Sequence, residues 1–418
     1  MSKKFNCIFF NCTTCPVLTG LYILLCTSFS HSQGTWTQKA SVFTTTARAG
    51  VFGFSIGGKG YMGAGWQYNI PIYYNDFWEW DQGTNAWTQK ANFAGSARGD
   101  AVSFSIGNKG YALTGYDGAY ATNELWEWDQ AANTWSQKAI FPGLMRAYGA
   151  GFSIGLKGYV GCGINGGVLN DFWEYDQLTD TWLQKADIPV ARFICVSFSI
   201  GNMGYVCIGG FSNSNLFNDM WEFNPALNTW TQKANFPGGI RAFASGFSIG
   251  NMGYVGTGWD GGTTYNDFWR FDPALNSWAP EANYPHLITD IDDASFSIGC
   301  KGYFGTGATT PNSGAPYFSD FWEYEPDTCS LTGIEIPFAS GGSEFLISPN
   351  PFSEKLNIRI DNNEPAEIII YDMNSKKVFH KNFTNTVSIN TRSFAKGIYI
   401  YEVKNKNGYL KREKIVKN

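Results

Sequence analysis

Five arginines in this chain share one repeated place. Arg48, Arg98, Arg146, Arg192 and Arg241 each stand six residues before the phenylalanine of a recurring Phe-Ser-Ile-Gly tetrapeptide, and Asp290 takes the sixth such place. A guanidinium is a rigid fork of donors that bonds carboxylates bidentately. Such a set suits either an acidic ligand or internal ion pairs to a neighbouring repeat. Carboxylates recur as well, at Asp76, Asp171, Asp219, Asp267 and Asp320, each two residues before a tryptophan. General acid–base catalysis calls for one asymmetric pair rather than a repeated set. These acids are therefore expected to bond turn backbone and tie strands together.

Other matches to catalytic patterns do not survive their context. Gly53-Phe54-Ser55-Ile56-Gly57 fits the nucleophile motif G-x-S-x-G, as do the segments starting at Gly151 and Gly246. That motif works on a strand-to-helix turn with an acid and a histidine, whereas here the serine recurs six times and no helical pattern follows. Gly58-Lys59-Gly60-Tyr61-Met62-Gly63 fits a dinucleotide fingerprint but lies in a predicted hairpin, without a helix to hold a pyrophosphate. His286 is the lone histidine of residues 33–330. Asp290 and Asp292 stand close enough to make it a candidate base, although a loop role is expected.

The elements that position these residues follow from the repeat. Phe-Ser-Ile-Gly starts at Phe54, Phe104, Phe152, Phe198, Phe247 and Phe296. Asp/Glu-x-Trp ends at Trp78, Trp126, Trp173, Trp221, Trp269 and Trp322, and a third element, usually Trp-x-Gln-Lys-Ala, starts at Trp36, Trp87, Trp135, Trp182, Trp230 and Trp278. The period is 46 to 53 residues, and each unit reads as four short strands with Gly/Asn turns, which is a propeller blade. Leu331 stands where a tryptophan should follow Trp322, while Trp36-Thr37-Gln38-Lys39-Ala40 precedes the first unit. The N-terminal strand is thus expected to complete the sixth blade and remove an open edge. The arginines then ring one mouth of the channel, and loops on the same face carry aromatics, with Trp66, Tyr116 and Trp259 as candidate contacts. The recurring tryptophans themselves are expected to pack between blades.

Residues 33–330 hold 15 Lys/Arg against 26 Asp/Glu, a net of −11, and residues 344–418 hold 13 against 8, a net of +5. An acidic body argues against nucleic-acid binding, which needs clustered basic residues. Lys3, Lys4, an apolar run from Phe5 to Phe29 and small residues at Ser30 and Ser32 read as a signal peptide over 1–32. Export permits disulfides. Of Cys162, Cys195, Cys207, Cys300 and Cys329, mostly free thiols are expected, with Cys300–Cys329 the most plausible bridge.

Gly-Tyr-x-Gly-x-Gly, then Asn-Asp-x-Trp-x-x-Asp, then Asn-x-Trp resembles the kelch repeat of galactose oxidase-like propellers, over about residues 34–330. The kelch double glycine is often broken, as in Gly63-Ala64-Gly65, and Gly209-Gly210 is read as its one survivor. The resemblance implies a six-bladed β-propeller that binds ligands on the loop face. The copper chemistry of one such relative needs histidine ligands that His286 alone does not supply, and no cofactor is expected. Two alternatives stay open, a metal-independent sugar isomerase or mutarotase-like enzyme and a rigid surface display scaffold.

After a linker at 331–343, alternating strands with polar turns indicate a small Ig-like β-sandwich over 344–418. Ser348-Pro349-Asn350-Pro351-Phe352, Ile368-Ile369-Ile370-Tyr371-Asp372 and Gly397-Ile398-Tyr399-Ile400-Tyr401 resemble the C-terminal sorting domain of the type IX secretion system of Bacteroidetes. That resemblance implies recognition by the secretion machinery and a secreted or surface-attached protein. Membrane contact would then occur only during export or through anchoring. The expected partner is a glycan or an extracellular protein, an acidic one suiting the arginines best.

Overall fold

The computed structural model describes residues 33–43, 46–67, 71–212, 214–285, 294–308, 316–327, 345–348, 354–360, 365–372, 376–405 and 408–417. The expected signal peptide, the linker, His286, Asp290, Asp292 and Cys329 lie outside them. The chain forms two compact units, 1–332 and 333–418.

The first unit is a six-bladed propeller of four-stranded antiparallel sheets. Blade one runs outward through Phe52–Ile56, Lys59–Gly63, Phe77–Asp81 and Ala86–Gln89. Blades two to five repeat this order from Val102, Ala150, Val196 and Ser245. In the sixth, Ala294–Ile298, Lys301–Gly305 and Phe321–Glu325 come late in the chain, and Thr35–Lys39 pairs on their outer edge with Trp36 opposite Tyr324. The ring is closed by strand pairing, which covers the edge that Phe321–Glu325 would otherwise leave open.

The repeated residues explain themselves in this arrangement. Each Phe-Ser-Ile-Gly phenylalanine lies on the glycine at the second position of the next blade's second strand. A Cβ on Gly110 would fall 2.1 Å from Phe54, and one on Gly60 would fall 2.3 Å from Phe296, across the ring closure. The glycine ending each tetrapeptide, such as Gly107 at φ +60°, has open space around it and is required by its left-handed turn instead. The tetrapeptide serines stand in inner strands followed by hairpins. Ser55, for one, donates to the Ser297 carbonyl, so the G-x-S-x-G matches build no nucleophile elbow.

Around the central channel, a cavity of about 180 Å³, the wall alternates between Gly53, Ser103, Gly151, Ser197, Gly246 and Ser295. Ser103, Ser197 and Ser295 donate to the carbonyls of Gly53, Gly151 and Gly246 in the preceding blades. The glycines meet bulk from the blade before them, since a Cβ on Gly151 would lie 2.1 Å from Val102 and one on Gly246 2.4 Å from Val196. The six inner strands therefore pack as three complementary pairs.

The second unit packs the three-stranded sheet of Phe345–Ser348, Lys355–Ile360 and Thr386–Asn390 against a four-stranded sheet. The latter comprises Lys377–Thr384, Pro365–Asp372, Gly397–Asn405 and Gly408–Lys417. Leu356, Val387 and Ile389 from one sheet meet Ile368, Ile370, Tyr401 and Ile415 from the other in a single core, which is a small β-sandwich.

Among the cysteines, Cys300 is disulfide-bonded while Cys162, Cys195 and Cys207 carry free thiols. Burial pushes the Cys207 thiol well up, so it acts as a small apolar core residue.

Candidate ligand-binding face

Each arginine enters its blade just ahead of the inner strand, and its side chain turns inward. Arg48, Arg98, Arg146, Arg192 and Arg241 are all fully buried. In each, Nη1 donates to the carbonyl sixteen residues on, belonging to Ala64, Thr114, Cys162, Ile208 or Thr257. Those acceptors are non-glycine residues held at positive φ, between 54° and 62°. The guanidinium thus satisfies the carbonyl of a backbone site that L-residues seldom adopt.

The carboxylate partner comes from the same blade. Arg146 bonds both oxygens of Asp171 at 2.7 Å, and Arg192 both oxygens of Asp219 at 2.8 Å. Arg48 pairs with Asp76 and Arg241 with Asp267 in the same way. Blade two differs, because Arg98 reaches Glu124 through Nη2 at 2.6 Å and gives Nη1 to the Thr122 hydroxyl. Burial opposes the charge at both Arg98 and Arg192. It prevails at Arg98, which is lowered despite Glu124, whereas two-point bonding to Asp219 prevails at Arg192, which is raised.

The same carboxylates accept the indole N–H two residues on. Trp78, Trp173, Trp221, Trp269 and Trp322 donate to Asp76, Asp171, Asp219, Asp267 and Asp320 at 2.6 to 2.8 Å. Aromatic rings cover the guanidiniums. Phe43 and Tyr74 flank Arg48 at 3.9 and 3.7 Å, and Tyr265 lies 4.3 Å from Arg241. Arg48 also borders a cavity of about 490 Å³, but in this clamped state.

These contacts correct two expectations. The arginines do not present free guanidiniums to the channel mouth, because each is buried and already bonded to a carboxylate and a carbonyl inside its own blade. Nor do they pair with an adjacent blade. Their link to the neighbour runs through the backbone, where Gly65, Gly115, Gly163, Gly209 and Gly307 donate to the carbonyls of Arg98, Arg146, Arg192, Arg241 and Arg48. That series also moves the double glycine by one residue. Gly209 matches Gly65, and Ile208 at φ 54° is the counterpart of Ala64.

What reaches the mouth is the residue two after each arginine. Gly50, Asp100, Tyr148, Ile194 and Phe243 all have φ between 54° and 64°. Their backbones form a chain around the mouth, with Asp100, Tyr148 and Ile194 donating to the carbonyls of Gly50, Asp100 and Tyr148. The backbone is uniform while the side chains differ from blade to blade. No constant-residue pattern reveals such a position; the variation within an otherwise regular repeat is its signal.

Next to the mouth the second strands run into their loops, where Trp66 bridges Ala49 and Tyr116 bridges Gly99. There Trp66, Tyr73, Tyr116, Tyr120, Met145 and Tyr148 line a cavity of about 600 Å³ across blades one to three, with Asp100 in its wall. Asp100 accepts the Trp66 indole N–H at 3.0 Å. Tyr73 and Tyr116 stand 5.9 Å apart at 70°. The structure thus brings Trp66 and Tyr116 together. Trp259 does not line that cavity, but packs, as Trp66 and Tyr148 also do, against the apolar cluster of Phe243, Leu216 and Ala308 at the mouth. Tyr148, Asp100 and Met145 were not singled out from sequence. Among the described residues no group of His, Cys, Asp and Glu is arranged to hold a metal ion.

Comparison with protein families matches residues 206–237, in blade four and the segment that follows it, to the kelch motif. Residues 346–418, nearly the whole second unit, match the secretion system C-terminal sorting domain. A comparison with curated proteins finds no match. The chain is thus a kelch-type propeller with a type IX sorting domain, a secreted or outer-surface protein that engages the secretion machinery through its tail.

Proposed function

We propose that this exported kelch propeller is a binding module whose ligand, a glycan or an extracellular protein, enters the aromatic cavity of blades one to three. The observation that carries this reading is the cavity itself, about 600 Å³ and walled by Trp66, Tyr73, Tyr116, Tyr120 and Tyr148. Its volume falls within the range of small-ligand sites, and flat aromatic walls give large contact area at little entropic cost. The closed ring beneath it holds those side chains in place before a ligand arrives. The buried, carboxylate-paired arginines support the face from behind.

The experiment is a screen of the purified protein against a glycan array and against proteins of the bacterium's surroundings, repeated with Tyr116→Ala and Tyr120→Ala. Both tyrosines are exposed, so the fold should tolerate either change. A ligand whose affinity falls at least about tenfold in these variants supports the reading, a loss typical of a contact hot spot. A ligand held equally well by both variants places binding elsewhere and overturns it.

A further inference from the structure

Resting on that reading of the face, we infer that the ligand presents an organic cation, an alkylammonium group, to the aromatic cavity. The charge inventory reverses what the arginine column suggests in isolation. Among the described residues lining the cavity, Asp100 is acidic and none is Lys, Arg or His. Asp117 follows Tyr116 at the rim, its Oδ1 accepting the amides of Ala119 and Tyr120. The guanidiniums of Arg98 and Arg146 are buried against Glu124 and Asp171. They leave no uncompensated positive charge for an anion.

The walls favour a cation independently of the carboxylates. An aromatic face carries negative electrostatic potential and attracts ammonium groups lying within about 6 Å of its centre. Tyr73 and Tyr116 meet near a right angle, so they offer surfaces from two directions, while Trp66 is held by its bond to Asp100. The negative field is also felt by the Tyr73 phenol. Burial, then Asp100, Tyr116 and Asp117, push its pKa up to about 12. Burial penalises charge of either sign, so it is the contribution of Asp100 and Asp117 to this shift that marks a field attractive to a cation.

The test is isothermal titration calorimetry on the full chain at low ionic strength. Four probes are used: choline, its neutral isostere with carbon in place of nitrogen, N-acetyl-lysine amide, and glucuronate. At least one ammonium probe should bind saturably, with the neutral isostere about 5- to 30-fold weaker than choline if choline is bound. Tyr116→Phe should keep this binding and Tyr116→Leu lose it. Asp100→Asn, which retains an acceptor for Trp66 and tolerates positive φ, should weaken it several-fold. Choline binding alone identifies a small quaternary amine, and lysine-amide binding alone a basic protein side chain; either supports the proposal. Equal affinity for choline and its isostere, or no binding of either ammonium probe, overturns it. Glucuronate binding that is lost in Tyr116→Leu would leave the face as the site and reject only the cation. A ligand retained by Tyr116→Leu would reject the face as well.

Discussion

The indole N–H of Trp36 donates to the carbonyl oxygen of Ala282 at 2.8 Å, joining residues 246 positions apart. Trp87, Trp135, Trp182, Trp230 and Trp278 make the same bond to Ala40, Ala91, Ala139, Ala186 and Ala234, so every outer strand is tied to the blade before it. Trp36 also packs within about 5 Å of Phe268, Phe304 and Tyr324. Trp36→Ala should cost about 3–5 kcal/mol, whereas Trp36→Phe, which loses mainly the N–H bond, should cost about 1 kcal/mol. Urea unfolding measures both. Equal losses would show that the closing strand is not held by this packing.

The buried arginine pairs should behave as structural staples. Removing one partner leaves the other charge buried, a loss of about 3–5 kcal/mol. Arg146→Ala and Arg192→Ala are expected in that range by denaturant titration, and Arg98→Ala, whose partner is bonded at one point, below them. An Arg192→Ala protein as stable as the parent would instead mean that the arginine is replaceable within the fold.

Two glycines three residues apart should respond differently to a methyl group. Gly107→Ala meets open space and suffers only from its φ of +60°, a cost of about 1 kcal/mol. Gly110→Ala collides with Phe54 and should cost about 1–3 kcal/mol more. Phe54→Leu combined with Gly110→Ala should then be less than additive. Strict additivity in thermal unfolding would show that the two residues do not meet.

Acid should weaken the propeller through Asp171 and Asp219. Burial opposes ionisation at both, but Arg146 and Arg192, helped by Trp173 and Trp221, outweigh it and hold the carboxyls below the ordinary range. The unfolded chain, with carboxyl pKa values near ~3.9, then binds protons first as pH falls. The stabilisation is complete above about pH 5 and is lost as pH drops through the lower folded values. Asp171→Asn should flatten this decline. Parallel stability curves for variant and parent would refute the assignment.

Much of the candidate face was legible in residue spacing. The arginine column, the Asp-x-Trp column and the aromatic loop starts could each be located from the sequence, and Trp66 and Tyr116 do share a cavity wall. What spacing did not reveal was that Arg146 and Asp171, 25 residues apart, close on each other. Repeat spacing does not mark Tyr148 and Asp100, because a repeat shows itself by constancy and the mouth position varies in every blade described. The offset of Gly209 shows the same limit, since matching letters placed the double glycine one residue away from the matching backbone.

The sequence by itself determined the repeat, the six blades, the swapped closing strand and the sorting domain, because strand alternation and turn glycines are local properties repeated too often to be ambiguous. Only the tertiary structure decided what the arginines do and where the charge lies. Whether a guanidinium faces solvent or its own blade depends on which carboxylate and carbonyl the packed sheets bring within 3 Å. Burial then makes pairing obligatory, since an unpaired buried charge costs more than the fold can offset. The channel mouth is therefore left to the variable side chains of Asp100, Tyr148 and the aromatic loops, where this propeller differs from blade to blade.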